Sequence, residues 1–215
     1  MGNLFGYDSK IMSALNKVMD ALLLGVLWFA CSIPILTIGA SSTAFYYAYH
    51  KSVRQKRGYA WQEFFYAFKS NFKQSTKMWL LIMGLTLFAI ADLSFLSVYM
   101  EVIPGAKILM GILFVFLAFV TMWGLCVFPY QARFEDEAKA VLKNTAIIMA
   151  ANYQWALAIL IVFVMALLGI IFFPLSGLFV PPVYMWFANR ILEHVFKKYM
   201  DVEDITKEKE FTEEG

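Results

Sequence analysis

The sequence predicts an all-α integral membrane protein, a bundle of about six transmembrane helices arranged as three helical hairpins. Of its 215 residues, 61% are hydrophobic and 16% are charged, whereas soluble domains carry about 25% charged residues. Several uncharged runs approach the roughly 20 residues that a helix needs to cross a bilayer. We expect one transmembrane domain over residues 1–200, in contact with the lipid bilayer, and a charged cytoplasmic tail over residues 201–215.

A basic stretch, residues 51–77, sets the predicted orientation. It contains seven Lys or Arg residues and a single acid, Glu63, between two apolar runs. Lys and Arg concentrated in a short connection keep that connection on the cytoplasmic side of a membrane. We therefore expect this stretch and both termini to face the cytoplasm. The net charge of +2 is too small to indicate a nucleic-acid partner.

Apolar segments alternate with polar ones along the chain. The predicted spans are approximately 18–36, 38–55, 78–100, 107–130, 154–173 and 178–197. An amphipathic interfacial helix over 59–76 and a cytoplasmic helix over 134–152 are expected in the longer connections. In an alternative arrangement, the first two apolar segments form one span and the N-terminus lies outside.

Proline and glycine mark the points where the chain is expected to turn. The three predicted turns contain Pro34 and Gly39, Pro104 and Gly105, and Pro174 and Gly177. Proline removes a helix hydrogen bond, and glycine permits a positive φ. Each turn would join the two spans of one hairpin.

The predicted interfacial helix carries aromatic residues at steps of about three and four. They are Trp61, Phe64, Phe65, Phe68 and Phe72. This spacing places the rings on one helical face, with lysines between them that suit anionic headgroups. Packing against the bundle or the lipid, and docking of a protein partner, both explain such a face.

Two groups of acidic residues are further candidates for function. Asp92 lies well inside the predicted span 78–100, and an ionisable residue within a membrane is a candidate for substrate or proton binding by default. Neighbouring serines or water could also satisfy it. The acids at the start of the predicted cytoplasmic helix are candidates for contact with a partner. They are Glu135, Asp136 and Glu137.

Motifs of enzyme and metal sites are absent from the sequence. It contains no HExxH, GxSxG, P-loop or dinucleotide-binding motif. Cys31 and Cys126 lie in separate apolar runs and are expected to be buried thiols, and His50 and His194 stand alone at predicted membrane edges. We therefore predict no catalytic residue, no metal site and no cofactor.

Two neighbouring segments carry a family resemblance. SIPILTIGASSTAFYYAYHKSVRQKRG and FFYAFKSNFKQSTKMWLL resemble the YesL-like family of bacterial membrane proteins, a domain family of unknown function. The similarity runs over nearly the whole chain, and its most specific parts are the proline-threonine-glycine turn and the F-K-x-N-F-K element. Members are typically encoded beside carbohydrate ABC importers. The resemblance therefore implies a location in the bacterial cell membrane and a link to sugar uptake, but it carries over no site residues.

Two classes of function are consistent with the sequence. In the first, the protein is a non-enzymatic accessory or regulatory membrane subunit linked to oligosaccharide ABC import. Residues 133–152 lack the E-A-A…G signature of importer permeases, so the chain is not expected to be the permease itself. In the second, it is a small multi-pass transporter or channel with its own pathway. The sequence names neither the sugar, nor the partner, nor the oligomeric state.

Overall fold

The computed structural model describes residues 10–200 and Thr206, and within this part of the chain the regular elements are helices. The α-helices are α1 (Lys10–Ser32), α2 (Ile38–Ala48), α3 (Ala60–Val98), α4 (Ala106–Arg133), α5 (Ala138–Ala151), α6 (Tyr153–Phe172) and α7 (Val180–Phe196). Short 3-10 turns over Ile35–Thr37 and Pro174–Leu178 precede α2 and α7, and a π-helical turn over Tyr49–Arg54 extends α2. The predicted tail, residues 201–215, lies outside the described residues apart from Thr206.

Four of the described helices are long and apolar enough to cross a membrane, namely α1, α3, α4 and α6. Over the described residues, the structure is therefore all-helical, as predicted, and its four long apolar helices support the prediction of a membrane protein. The predicted spans 38–55 and 178–197 correspond to α2 and α7, which have 11 and 17 residues. Because these two helices are short, the structure does not confirm the arrangement of six spans.

α3 is one continuous helix of 39 residues. The predicted interfacial helix 59–76 and the predicted span 78–100 join within it, because no proline or glycine interrupts the helix where its polarity changes. At 1.5 Å per residue α3 is about 58 Å long, nearly twice the roughly 30 Å of a hydrocarbon core. Residues 78–98 alone, about 31 Å, match that thickness. The polar first half of α3 therefore extends beyond the apolar half.

α2 packs beside the polar half of α3. The Thr43 and Ser75 hydroxyls lie 3.0 Å apart, and Trp79 Nε1 donates a hydrogen bond of 2.7 Å to the carbonyl oxygen of Ile35. Val98, at the end of α3, lies about 29 Å beyond Trp79 along the helix. The turn before α2 and the turn after α3 are therefore at opposite ends of the apolar half. This differs from the predicted hairpins, which place both turns at the same membrane surface.

The centre of the described bundle is filled by α2, which packs most extensively on α3 and also contacts α4 and α1. Its buried residues are Gly39, Ala40, Ser41, Thr43, Ala44, Phe45, Tyr46 and Ala48. The hydroxyls of Ser41 and Thr43 donate to carbonyls one turn earlier in the helix. Small and internally hydrogen-bonded side chains let neighbouring helices approach α2 closely.

The predicted turn residues have different roles in the structure. Gly105 has a φ of +80° and immediately precedes α4, as expected for a turn. Pro34 precedes the first 3-10 turn, and Pro174 and Gly177 lie in the second one. Gly39 differs from the prediction, since it lies inside α2 and has no positive φ.

Gly39 allows the close approach of α2 to α3. A Cβ atom at this position would lie 2.6 Å from Trp79 Cβ, 2.7 Å from the Ser75 carbonyl oxygen and 2.8 Å from Phe128 Cε1. Real Cβ atoms do not come this close, and the Ser75 carbonyl belongs to a helix backbone that cannot easily move. Glycine is therefore needed here for packing between helices and not for a turn.

An ion pair connects α3 to the π-helical turn that extends α2; α2 and this turn together are called the α2 segment. Lys51 Nζ lies 2.9 Å from Glu63 Oε2, so the one acid of the basic stretch is paired within the chain. The connection between the two residues turns through Lys56 and Gly58, which have φ values of +56° and +72°. The ion pair and the turn keep α2 antiparallel to the polar half of α3.

We expect Gly39→Ala to destabilise the protein by about 1–3 kcal/mol, the usual cost of overpacking a core. Gly84→Ala is the matched control, since Gly84 lies in α3 and an added Cβ would have no atom within 4 Å. This control should be neutral or slightly stabilising, because alanine favours helix over glycine. Thermal unfolding of both variants in detergent measures the difference. Equal melting temperatures would contradict the packing of Gly39 against α3.

Candidate functional site

A buried carboxylate, Glu193 of α7, lies at the centre of an ionic cluster. Its side chain is 0% exposed. Its Oε1 accepts a hydrogen bond of 2.9 Å from the Tyr46 hydroxyl and lies 2.9 Å from Arg133 Nε and 3.3 Å from His50 Nδ1. A carboxylate away from water is costly unless it is paired and hydrogen-bonded. These four residues, here called the Glu193 cluster, meet that requirement at Oε1.

Asn189 extends the Glu193 cluster toward a second arginine. Asn189 Oδ1 accepts a hydrogen bond of 2.9 Å from Arg54, and the Asn189 backbone carbonyl accepts another of 3.3 Å from the same nitrogen. The Asn189 amide nitrogen also lies 3.3 Å from His50 Nδ1. Asn189 and Glu193 are four residues apart, so they lie on one face of α7. That face meets the basic side chains of the α2 segment.

Both ring nitrogens of His50 have side-chain neighbours. Gln55 Nε2 is 3.0 Å from His50 Nε2. His50 Nδ1 lies 3.3 Å from the Asn189 amide nitrogen and 3.3 Å from Glu193 Oε1. The ring is therefore held between its own π-helical turn and the face of α7 that carries Asn189 and Glu193.

The π-helical turn at the end of α2 positions the basic residues of the site. Within it, the Gln55 backbone nitrogen donates to the His50 carbonyl at 3.1 Å, five residues earlier. This wider turn brings His50 and Arg54 toward the same face of α7. π-helical turns are rare and often occur at functional sites.

The Glu193 cluster connects segments that are far apart in the sequence. Tyr46 and His50 come from the α2 segment, Arg133 ends α4, and Glu193 lies in α7. Glu193 Oε2 is buried and has no hydrogen-bond partner among the described residues. The arrangement can therefore fix the register of three segments, and it leaves one carboxylate oxygen available to a water molecule or a proton.

A second buried polar chain connects α2, α3 and α4. The Ser75 hydroxyl, 3.0 Å from that of Thr43, donates to Gln131 Oε1 at 2.9 Å, and Gln131 Nε2 donates to Asn71 Oδ1 at 3.2 Å. Asn71 belongs to the F-K-x-N-F-K element of the sequence. The element therefore contributes to packing between helices.

The structure places Asp92 away from both polar groups. It lies in the last third of α3 and is half-buried. Among the described residues, no hydrogen bond or ion pair reaches its carboxylate. Its predicted role in substrate or proton binding thus stays a prediction.

The five predicted aromatic residues do not share one surface. Phe64 is fully buried in the core, and Phe68 packs partly against it. Trp61, Phe65 and Phe72 are exposed. The 3.6-residue period explains this division. Phe64 lies on the side of α3 that faces α2, whereas Trp61, Phe65 and Phe72 lie at the edge of that contact.

The acidic segment between α4 and α5 is also divided. Asp136 Oδ2 accepts hydrogen bonds from the Tyr130 hydroxyl at 2.7 Å and from Asn144 Nδ2 at 3.1 Å. Glu135 and Glu137 are exposed. Asp136 therefore stabilises the connection between the two helices, and its two neighbours stay candidates for contact with a partner.

Sequence reasoning missed Glu193 and its partners. Glu193 lies within the predicted span 178–197, four residues after Asn189. An acid and an amide on one face of an apolar helix indicate a polar site inside the bundle. The residues that pair with Glu193 could not be found in this way. Their contacts join positions 60 to 147 residues apart in the chain.

We expect Glu193→Ala to destabilise the protein by about 3–5 kcal/mol, because it leaves Arg133 and His50 without their buried carboxylate. The exposed Glu137→Ala is the control and should have little effect. Combining Arg133→Met with Glu193→Leu should cost less than the sum of the two single changes, since the pair is removed together. Thermal unfolding in detergent measures all five variants, which are Glu193→Ala, Glu137→Ala, Arg133→Met, Glu193→Leu and the double variant. Additive effects would contradict the buried ion pair.

Part of the chain is similar to a known protein family. No curated protein and no solved structure matches the chain. Residues 21–93 match the model of the family described as "Protein of unknown function, DUF624". The match extends from α1 to Leu93 in α3, includes Tyr46, His50 and Arg54, and is shorter than the expected similarity over nearly the whole chain. Residues 21–93 are therefore similar to a family of domains of unknown function.

Proposed function

We propose that the protein is a non-enzymatic accessory or regulatory membrane subunit that binds a partner through the polar half of α3. The observation that carries this proposal is an exposed aromatic face, defined here as Trp61, Phe65 and Phe72. The link of the partner to oligosaccharide ABC import rests on the resemblance to the YesL-like family, whose members are typically encoded beside such importers.

The aromatic face has the chemistry of a protein interface. Trp61 is 50% exposed, and Phe65 and Phe72 are each 38% exposed. The exposed lysines Lys69 and Lys73 lie beside these rings. Aromatic residues are enriched at the centre of protein interfaces, and a charged rim around them is common.

The continuity of α3 is also relevant to what covers the aromatic face. An interfacial helix would lie in the membrane plane with its rings in the headgroup region. The aromatic face instead belongs to the same helix as the apolar residues 78–98. It is therefore not carried by a separate helix in the membrane plane, and we propose that a protein partner covers it.

The alternative function, a small transporter or channel, requires a passage through the bundle. In the described part of the chain, α2 fills the centre and packs closely on its neighbours. Asp92, the candidate for a transport residue, lies apart from the Glu193 cluster and from the second polar chain. These observations favour the accessory subunit.

We also propose that the basic stretch and both termini face the cytoplasm of a bacterial cell. In support, α4 ends at Arg133, which contacts Glu193, and α7 ends at Phe196, whose ring packs against Tyr130 near the end of α4. Both helices therefore end near the Glu193 cluster. Lys51 and Arg54 of the basic stretch lie at the same end of α2. The regions rich in bases therefore converge, as an orientation set by positive charge requires. The six-span topology with its three hairpins stays a prediction. The position of Ile35 beside Trp79 does not favour it, because the turns before α2 and after α3 then lie at opposite ends of the apolar half of α3.

We expect Trp61→Ala and Phe65→Ala to weaken capture of the membrane partner. Loss of one interface aromatic costs on the order of 2 kcal/mol, which corresponds to a roughly 30-fold weaker association. Phe88→Ala is the matched control, because Phe88 is 63% exposed on the apolar half of the same helix. Affinity purification in mild detergent, with partners identified by mass spectrometry, measures the capture.

Membrane abundance of each variant must be checked in parallel. The proposal predicts normal abundance, lost capture for Trp61→Ala and Phe65→Ala, and retained capture for Phe88→Ala. Capture of a carbohydrate importer by the wild type would support the proposed link to sugar uptake. Equal capture by all four proteins would contradict the aromatic face as the partner surface.

A further inference from the structure

A groove with a volume of about 670 Å³ lies between α1, α7 and the π-helical turn. Its volume is within the usual range of about 300–1,000 Å³ for ligand sites. The groove is separate from the aromatic face on α3. Its polar residues are Lys17, Arg54, Asn189 and Arg190.

The charge of the groove has one sign. Lys17, Arg54 and Arg190 line it, and no acidic residue does. Among the described residues, no carboxylate pairs with any of these three cations. Arg54 is already oriented, because one of its nitrogens donates to Asn189. Arg190 is also held, with its guanidinium carbon 5.2 Å from the centre of the Trp186 ring. Three cations without carboxylate partners provide a complementary site for an anion.

The remainder of the groove is apolar and lies open. Val18 of α1 and Val183 of α7 are 54% and 55% exposed, and Phe179 and Trp186 are exposed as well. α1 is one of the helices long and apolar enough to cross a membrane. An open apolar wall on such a helix is suited to contact with acyl chains and not with water.

The cations lie at one end of the groove, and the apolar wall continues past them to the crossing of α1 and α7. α1 and α7 cross at Gly25, where an added Cβ would lie 2.8 Å from Pro182 Cγ. Lys17 and Arg190 are each eight residues from this crossing, about 12 Å along their helices. The groove therefore has a basic end near the π-helical turn and an apolar end at the crossing of the helices.

We propose that this groove binds an anionic phospholipid. The headgroup phosphate contacts Lys17, Arg54 and Arg190, and an acyl chain lies between α1 and α7 along Val18 and Val183. Arginine is suited to this role because its planar guanidinium makes two parallel hydrogen bonds to phosphate oxygens. A neutral-headgroup phospholipid would gain the apolar contacts but not the net charge complementarity.

The test uses the full-length protein purified in detergent and two lipids with identical acyl chains, phosphatidylglycerol and phosphatidylcholine. Native mass spectrometry measures the bound fraction of each lipid as its concentration is raised. The wild type should prefer phosphatidylglycerol. Each charge removed by Lys17→Gln and Arg190→Gln should weaken its binding about fivefold, the factor expected for one Lys or Arg near a membrane surface.

Lys107→Gln and Lys139→Gln are the matched controls, because both lysines are exposed and neither lines the groove. They should bind phosphatidylglycerol like the wild type. Val183→Trp, which fills the apolar wall, should weaken binding of both lipids. Thermal unfolding without lipid shows that each variant is folded before it is compared.

Several outcomes would overturn the proposal. One is equal binding of the two lipids by the wild type, and another is unchanged phosphatidylglycerol binding by the variant that combines Lys17→Gln with Arg190→Gln. Displacement of phosphatidylglycerol by millimolar glycerol phosphate would show a site for the free headgroup and not for the lipid. Weaker binding by the Lys107→Gln control to the same extent would show nonspecific attraction to the basic surface.

Discussion

The close contact between α2 and α3 at Gly39 is the constraint on which the rest of the structure depends. Because glycine has no side chain, the backbone of α3 at Ser75 can approach α2 to a distance that no other residue permits. The contact fixes the register of α2 along the polar half of α3. The buried hydroxyls of Thr43 and Ser75 and the ion pair of Lys51 with Glu63 continue the same register.

This register determines where the π-helical turn lies. The turn brings His50 to Glu193 and Arg54 to Asn189, so the polar interior is built where α2, α4 and α7 meet. Arg54 donates to Asn189 beside the Glu193 cluster, and it also lines the basic end of the groove. A change in the position of α2 would therefore alter the buried ion pairs and the proposed lipid site together. The aromatic face on α3 is exposed, and it contacts the core through the rings of Phe65 on Phe64 and of Phe72 on Phe68.

Hydropathy alone predicts the ends of α4, α6 and α7 within a few residues, because each is a long apolar run bounded by polar or helix-breaking residues. The pair Pro104 and Gly105 predicts the turn before α4, where the positive φ of Gly105 favours glycine. Hydropathy does not predict that α3 continues through Lys77, because a change of polarity along the chain indicates a new element even where the helix is unbroken. A helix breaks at proline, glycine or a cap, and none of these lies at that point.

The functional residues were harder to predict for a different reason. The position of Asp92 inside a long span predicts a functional acid, yet Glu193 is the acid with buried partners. The interactions of Glu193 depend on contacts between distant segments, which periodicity cannot reveal. The division of the aromatic residues into a buried Phe64 and an exposed Trp61 depends in the same way on which side of α3 faces α2.

Disulfide cross-linking in native membranes tests the position of α2 most directly. In a background with Cys31→Ala and Cys126→Ala, two variants are compared, Thr43→Cys with Ser75→Cys and Thr43→Cys with Ser94→Cys. The structure predicts a cross-link for the first pair, because the two hydroxyls are 3.0 Å apart, and none for the second. A cross-link between positions 43 and 94, and none between 43 and 75, would place α2 beside the apolar half of α3 and contradict the account.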